Sequence, residues 1–251
     1  MFIKQILHKL FNTLGYKVLR ISNAKSDPFI NFEFGNISKK CQEYTMTSVE
    51  RMYALSEAVK YIIKFNIPGD FVECGVWRGG SAMIIAHTLL EIKETNRKIY
   101  LYDTFEGMSK PTEEDYLILQ GDVYAIDEWK KSQKKNYNKW CFSSLSEVQK
   151  NMLSTKYPKE KLIFVKGKIE ETIPKYIPEK IALLRLDTDF YESTKHELHY
   201  LFPLLVKNGV LIIDDYGHWA GSKKAVDEYF FNKAVFLNRI DYAGRIGIKT
   251  E

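Results

Sequence analysis

Two apolar runs in the second half of the chain end in acids. Ile181-Ala182-Leu183-Leu184-Arg185-Leu186 leads into Asp187-Thr188-Asp189, and Gly209-Val210-Leu211-Ile212-Ile213 leads into Asp214-Asp215. If both runs are neighbouring strands, about 4.8 Å apart, acids at their matching ends converge on one point. Carboxylates so placed repel and raise one another's pKa, and a bound divalent cation removes that penalty. Asp187, Asp214 and Asp215 therefore read as a metal site, with all-oxygen ligation favouring Mg2+ and Mn2+ or Ca2+ as substitutes. A purely structural account, in which the acids cap the following helices, suits Asp189, because Asp189 and Glu192 have N-cap and N3 spacing. It leaves the Asp214-Asp215 pair unexplained.

A third apolar run ends as Glu73-Cys74-Gly75-Val76-Trp77-Arg78-Gly79-Gly80-Ser81, a glycine-rich turn into a helix. Glycine lets backbone approach a ligand closely. A dinucleotide fold wants G-x-G-x-x-G, with a helix N-terminus aimed at pyrophosphate; here the spacing is G-x-x-x-G-G and an acid precedes it. Glu73 would repel phosphate and suits a cation, and S-adenosylmethionine offers an ammonium, a sulfonium and no phosphate. Glycine for packing alone is the competing account of the turn. The next run ends Tyr102-Asp103-Thr104, placing Asp103 where an acid accepts hydrogen bonds from ribose hydroxyls. Asp103 supports an adenosine ligand without choosing which.

Among the histidines, His218 follows the acidic pair by three residues and is a candidate proton acceptor or substrate contact. His8, His87, His196 and His199 read as ordinary packing or surface residues. Between about 106 and 143 lies an irregular segment rich in aromatics, among them Tyr116, Tyr124, Trp129, Tyr137 and Trp140. Connections this long are usually functional, and the aromatic content points to an ordered lid over the acceptor. Its lysines 130, 131, 134, 135 and 139 read as a solvated face.

The elements that must position these residues alternate. Short β-rich runs (FVECGV, KIYLYDTF, LIFVKG, IALLRLDTD, GVLIIDDYG) interleave with helical stretches, which implies an α/β fold with a mostly parallel sheet covered on both faces. Two last runs, VFLNRID and GRIGIKT, are joined at Ala243-Gly244 and predict a terminal hairpin with one antiparallel strand. A helix is expected to start at Thr47, where Thr47 and Glu50 have capping-box spacing, and to end at the Ile67-Pro68-Gly69 turn.

At 251 residues the chain makes one substantial domain. Residues 1–40 are expected to form an N-terminal arm and linker, and 41–251 the main domain. The arm holds Lys4, Lys9, Lys17, Arg20 and Lys25; without them the chain balances at 32 basic against 32 acidic residues, which argues against a broad nucleic-acid footprint on the folded body. Phe2, Ile3, Ile6, Leu7, Leu10, Phe11 and Leu14 recur at helical spacing, an amphipathic helix suited to packing on the domain or a second copy of the chain, with peripheral membrane contact as the alternative. Residues 22–38 read as linker. Cys41, Cys74 and Cys141 lack C-x-x-C spacing, and no signal or membrane-spanning run is evident, so a cytoplasmic protein is expected.

Taken together, Tyr44-Thr45-Met46-Thr47, PGDFVECGVWRGGSA, IYLYDTFEGM, VKGKIEETIP, LLRLDTDFYEST and GVLIIDDYGHWAGSKKAVDEY resemble the macrocin O-methyltransferase family. The resemblance covers roughly residues 40 to 235. It implies a class I methyltransferase, Rossmann-like sheet of seven strands, S-adenosylmethionine, Mg2+ and an acceptor hydroxyl on a sugar or aromatic ring. On that likeness Glu73, Gly75, Ser81 and Asp103 would contact the cofactor, with Thr47, Val76, Trp77, Gly80 and Thr104 in the same matching stretches, and Asp187, Asp214 and Asp215 would bind the metal. Related metal-dependent methyltransferases carry a Lys or His base three positions after the first metal ligand. This chain has Phe190 there, which leaves Asp189 as the first choice of base and His218 as the second.

The expected function is therefore metal-dependent O-methylation of a sugar or glycosylated metabolite, in surface-polysaccharide or natural-product synthesis. Its rival is a nucleotide-sugar glycosyltransferase using Asp187-Thr188-Asp189 as a metal-binding D-x-D. That reading leaves Glu73 and the Asp214-Asp215 pair without a role. A non-catalytic scaffold with the basic arm as its contact is the third reading.

Overall fold

The computed structural model describes Phe11, Thr13 and residues 32–251 apart from Asp122 and Ala234. Of the amphipathic arm expected over residues 2–14, only Phe11 and Thr13, both helical, are among the described residues. The chain divides into residues 1–35 and 36–251, and the second unit holds the whole sheet and every candidate site residue. No helix among the described residues is long and apolar enough to cross a membrane.

A seven-stranded sheet forms the centre, in the order β3-β2-β1-β4-β5-β7-β6. Its strands are β1 (Asp70–Cys74), β2 (Ile99–Asp103), β3 (Leu162–Lys166), β4 (Ile181–Leu186), β5 (Leu205–Ile213), β6 (Leu237–Arg239) and β7 (Arg245–Ile248). The first five run parallel, and β7 is antiparallel to both its neighbours, as the Ala243-Gly244 turn predicts. The helices are α1 (Phe32–Cys41), α2 (Val49–Lys64), α3 (Gly80–Glu91), α4 (Ala125–Ser132), α5 (Leu145–Ser154), α6 (Ile169–Thr172), α7 (Tyr191–Leu201) and α8 (Ala220–Phe230). Strand order reverses at β1, so the right-handed crossovers β1-α3-β2 and β4-α7-β5 carry their helices to opposite faces. Ligands bind at such a switch point, outside the carboxyl ends of the strands.

Register places the site. Cys74 pairs with Tyr102 and with Leu186, and Leu186 pairs with Ile213. The residues one step further on, Gly75, Asp103, Asp187 and Asp214, therefore stand level at the tips of four adjacent strands. Ladder bonds continue to that level: Gly75 N donates to Tyr102 O, Asp187 N to Cys74 O and Asp214 N to Leu186 O, at 2.9, 2.8 and 2.9 Å. Two residues earlier, Glu73 pairs with Arg185. Because side chains two apart share a face, Glu73, Arg185, Asp187 and Asp214 project to the same side of the sheet. On the opposite face Val72, Leu184 and Leu211 join Leu198 and Val226 in one buried apolar cluster.

Three local expectations change. Helix α2 is capped by Ser48, whose Oγ accepts from Arg51 N at 3.2 Å, and not by Thr47. The cap falls one residue later because the Ser48 hydroxyl is also held by Asp241, at 2.7 Å, while the Thr47 hydroxyl turns toward Asp214. Residues 32–41 are helical where a linker was expected, since Ile37 and Cys41, one turn apart, are both buried. Asp189 caps nothing: the N-cap of α7 is Phe190, and Asp189 sits in the left-handed region at φ 69°.

Gly75 takes φ +81°, and a Cβ there would stand 1.9 Å from the Asp187 carbonyl oxygen. Gly75→Ala should lower the urea midpoint by the equivalent of about 3 kcal/mol or more, since strain and backbone collision act together. Gly121→Ala, with nothing within 4 Å, should leave the midpoint unchanged.

Candidate active site

Above the strand tips is a cavity of about 300 Å3 lined by Thr47, Glu73, Gly75, Val76, Trp77, Ser81, Asp103, Thr104, Asp187, Asp189, Asp214, Asp215 and His218. Every residue expected to bind cofactor or metal, or to act as base, lines it except Gly80. Gly80 serves packing: a Cβ there would lie 2.6 Å from the Tyr44 carbonyl and the Thr45 side chain, so its absence lets that segment close on the start of α3.

The centre of the site is a residue that sequence reading passed over. Arg185 is 2% exposed and donates from Nη1 to Glu73 Oε1 and Asp187 Oδ2, both at 2.7 Å, and from Nη2 to Asp214 Oδ1 at 2.6 Å. A second missed arginine, Arg51 of α2, donates from Nη1 to Asp214 Oδ2, and its Nε lies 3.0 Å from Asp241 Oδ2 in an ion pair. A lone charge inside an apolar strand run was a usable signal for Arg185, because a guanidinium buried there must meet acids. Nothing in the local pattern marked Arg51.

One oxygen of each of Asp187, Asp214 and Asp215 lies within 4.8 Å of the others, so the three could share one cation. Six carboxyl groups, Glu73, Asp187, Asp189, Asp214, Asp215 and Asp241, gather around two guanidiniums, and Asp215 Oδ2 is buried without a hydrogen-bond partner. A hard divalent cation fits that surplus of oxygen donors and charge. Burial pushes the Asp187 and Asp215 carboxyls well above the usual range. Asp189 rises to about 7 through burial and the nearby Asp187.

The cofactor side is equally constrained. Asp103 Oδ2 accepts from Val76 N and Trp77 N at 2.7 and 3.0 Å, and Oδ1 from Phe105 N at 2.7 Å, so this acid pins the glycine turn as well as facing the cavity. Thr104 Oγ1 donates to Gly107 O at 2.7 Å. Glu73 has one oxygen held by Arg185, while Oε2 is buried and has no partner. Burial raises this carboxyl to about 7. An unfilled acidic acceptor facing a cavity fits a cationic ligand such as the ammonium of S-adenosylmethionine.

Within segment 106–143, described apart from Asp122, lies helix α4 where irregular chain was expected. Buried Asp115 anchors it: Oδ1 accepts from Tyr191 N at 2.8 Å, supplying the cap that Phe190 cannot give to α7. A bridge between Leu117 and Trp219, with Ile118 N donating to His218 O at 3.0 Å, ties it to the residues after Asp215. Trp140 from this segment packs with Phe190 and Trp219, ring centroids 5.7 to 5.9 Å apart, and Met108, Trp140, Cys141 and Trp219 line the cavity. Phe190, at the position where the resemblance led one to expect a base, is thus part of this aromatic packing. His218 Nδ1 lies 3.3 Å from Tyr242 Oη, and burial together with Arg51 lowers its pKa, which favours the neutral ring. Lysines 130, 131, 134, 135 and 139 are exposed, as a solvated face requires. His196 bonds the Ile173 carbonyl at 3.0 Å and His199 is exposed.

Comparison with known proteins agrees with this geometry. The macrocin-O-methyltransferase (TylF) family profile matches residues 35–246. Demethyldecarbamoylnovobiocin O-methyltransferase of Streptomyces niveus is 33% identical over 186 residues, which cover 74% of this chain and 67% of that protein. A tetracenomycin rhamnosyl 4'-O-methyltransferase of Streptomyces olivaceus is 32% identical over the same shares of the two chains. The solved structure of the O-methyltransferase NovP superposes with a TM-score of 0.71 at 32% identity, covering 83% of each chain. A D-x-D glycosyltransferase reading of Asp187-Thr188-Asp189 is thereby excluded. The chain belongs to the macrocin-O-methyltransferase (TylF) family and is an O-methyltransferase.

Proposed function

We propose that the protein transfers the methyl group of S-adenosylmethionine to a hydroxyl of a sugar or glycosylated metabolite, at a site completed by a divalent ion on Asp187, Asp214 and Asp215. The observation carrying this reading is that the three acids, drawn from two adjacent strand tips, share a cavity with the glycine turn and Asp103. The sugar-like acceptor is supported by the relative named for methylating a rhamnosyl-bearing tetracenomycin.

Methyl transfer from sulfonium to alcohol is an in-line displacement, and the alcohol must lose a proton as it attacks. A divalent ion, when bound, lowers the pKa of an oxygen it touches, in the known case of zinc-bound water from 15.7 to about 7. The chain's residues supply the rest. Glu73 Oε2 takes the donor's ammonium, and the acceptor site that three backbone amides leave on Asp103 Oδ1 takes a ribose hydroxyl. Asp189, with a carboxyl titrating near neutrality, accepts the acceptor's proton, and neutral His218 is the alternative. Trp140, Trp219 and Met108 wall the cavity and exclude water. The arm's role, whether against a second copy of the chain or a membrane surface, lies outside the described residues.

Methyl transfer to a panel of glycosylated acceptors should vanish in excess chelator and return with Mg2+. Asp187→Ala should lose at least about a thousandfold in turnover while still binding S-adenosylhomocysteine in calorimetry; full activity in chelator would refute the metal assignment. Because Glu73 titrates near 7 and only its ionised form attracts an ammonium, S-adenosylhomocysteine affinity should rise from pH 6 to pH 8 and then level. Glu73→Gln should bind about tenfold more weakly, with that pH slope removed.

A further inference from the structure

Both oxygens of Asp214 are held by guanidinium groups, Oδ1 by Arg185 and Oδ2 by Arg51. The two arginines differ in freedom. Arg185 is buried in the sheet and also bonds Glu73 and Asp187, so withdrawing it would strand several buried carboxylates at once. Arg51 has a second acid of its own. Its Nε reaches Asp241 Oδ2 at 3.0 Å in the β6–β7 turn, and Asp241 is itself fixed by the amides of Ala243 and Gly244 at 2.9 and 2.7 Å. Arg51 can therefore leave Asp214 and keep its charge paired.

We infer that Arg51 is the resident counter-cation of the metal site: it occupies Asp214 in the metal-free protein, yields Asp214 when a divalent ion binds, and so sets the affinity for that ion. The inference rests on the proposed metal site and deepens it by naming the group with which the ion competes. A unit positive charge bonded to one of the three candidate ligands opposes a second cation there, and at these separations the opposition is appreciable even with solvent screening. Asp241 is the refuge that lets the exchange proceed without an unpaired charge. Holding Arg51 near the site also keeps Asp214 oriented while no ion is present.

The test is calorimetric titration of Mn2+ into the wild type and two variants, each checked for folding by circular dichroism. Arg51→Met should bind Mn2+ about tenfold more tightly than the wild type, because the competitor is gone. A structural role for Arg51 would move the affinity the other way, so equal or weaker binding overturns the inference. Asp241→Asn removes the refuge, ties Arg51 more firmly to Asp214 and should weaken Mn2+ binding about threefold or more; unchanged or tighter binding by this variant also overturns it, and it carries the test alone if Arg51→Met does not fold. Failure of the wild type to bind Mn2+ would remove the metal site and this inference together. Normal Mn2+ binding that neither variant alters would remove the inference alone.

Discussion

A single guanidinium buried in the middle of the sheet sets the terms for the rest of this structure. Arg185 lies in a parallel strand flanked on both sides by other strands, where an unpaired charge would be prohibitive. It is tolerated because acids from three adjacent strands meet it: Glu73 from β1, Asp187 just past β4 and Asp214 just past β5. Removing one member of a buried set like this costs about 3–5 kcal/mol, because the others are left uncompensated. The same contacts fix the rotamers of the acids proposed to serve donor and metal, so they stand in place before any ligand arrives. Ordering groups in advance is what lets a site spend its interactions on the reaction instead of on its own rearrangement.

The donor side and the acceptor side are each built around a carboxylate with a structural role. Asp103 gathers the amides of Val76, Trp77 and Phe105, which holds the glycine turn against the end of β2 and opens the cavity at the switch point. Asp115 performs the matching service for segment 106–143 by bonding the first amide of α7. A carboxylate at a helix N-terminus satisfies an orphan donor and complements the helix dipole. Because α7 starts two residues after Asp189, that one bond links the aromatic wall of Trp140, Phe190 and Trp219 to the loop bearing the candidate base. Acceptor wall and acidic cluster are thus parts of one packed unit.

The arrangement also accounts for the departure at Phe190. Phe190, where the family resemblance led one to expect a Lys or His base, packs against Trp140 and Trp219, so a proton acceptor is sought among the neighbouring polar positions. Asp189, held at a left-handed φ beside Asp187, and His218, beside Tyr242, are the groups proposed for that part.

Much of this was legible in the amino-acid sequence because it depends on short-range pattern. Alternation of β-rich and helical runs specifies a parallel sheet covered on both faces, and acids or glycines ending those runs specify what stands at the strand tips. That is why Asp103, Asp187, Asp214 and Gly75 could be named from order alone. Thr47 shows the limit: its spacing to Glu50 is that of a cap, yet Ser48 caps the helix, because the choice between two adjacent hydroxyls was made by Asp241 and Asp214, each more than 150 residues away. Arg185 and Arg51 show it again, since an arginine's partners are set by strand register and helix docking, which no local window contains. The sequence by itself determined which chemical groups end each strand; only the tertiary structure decided which of their oxygens are already taken by arginine and which remain free for a ligand, because pairing of buried charges depends on distances that exist only once the strands are side by side.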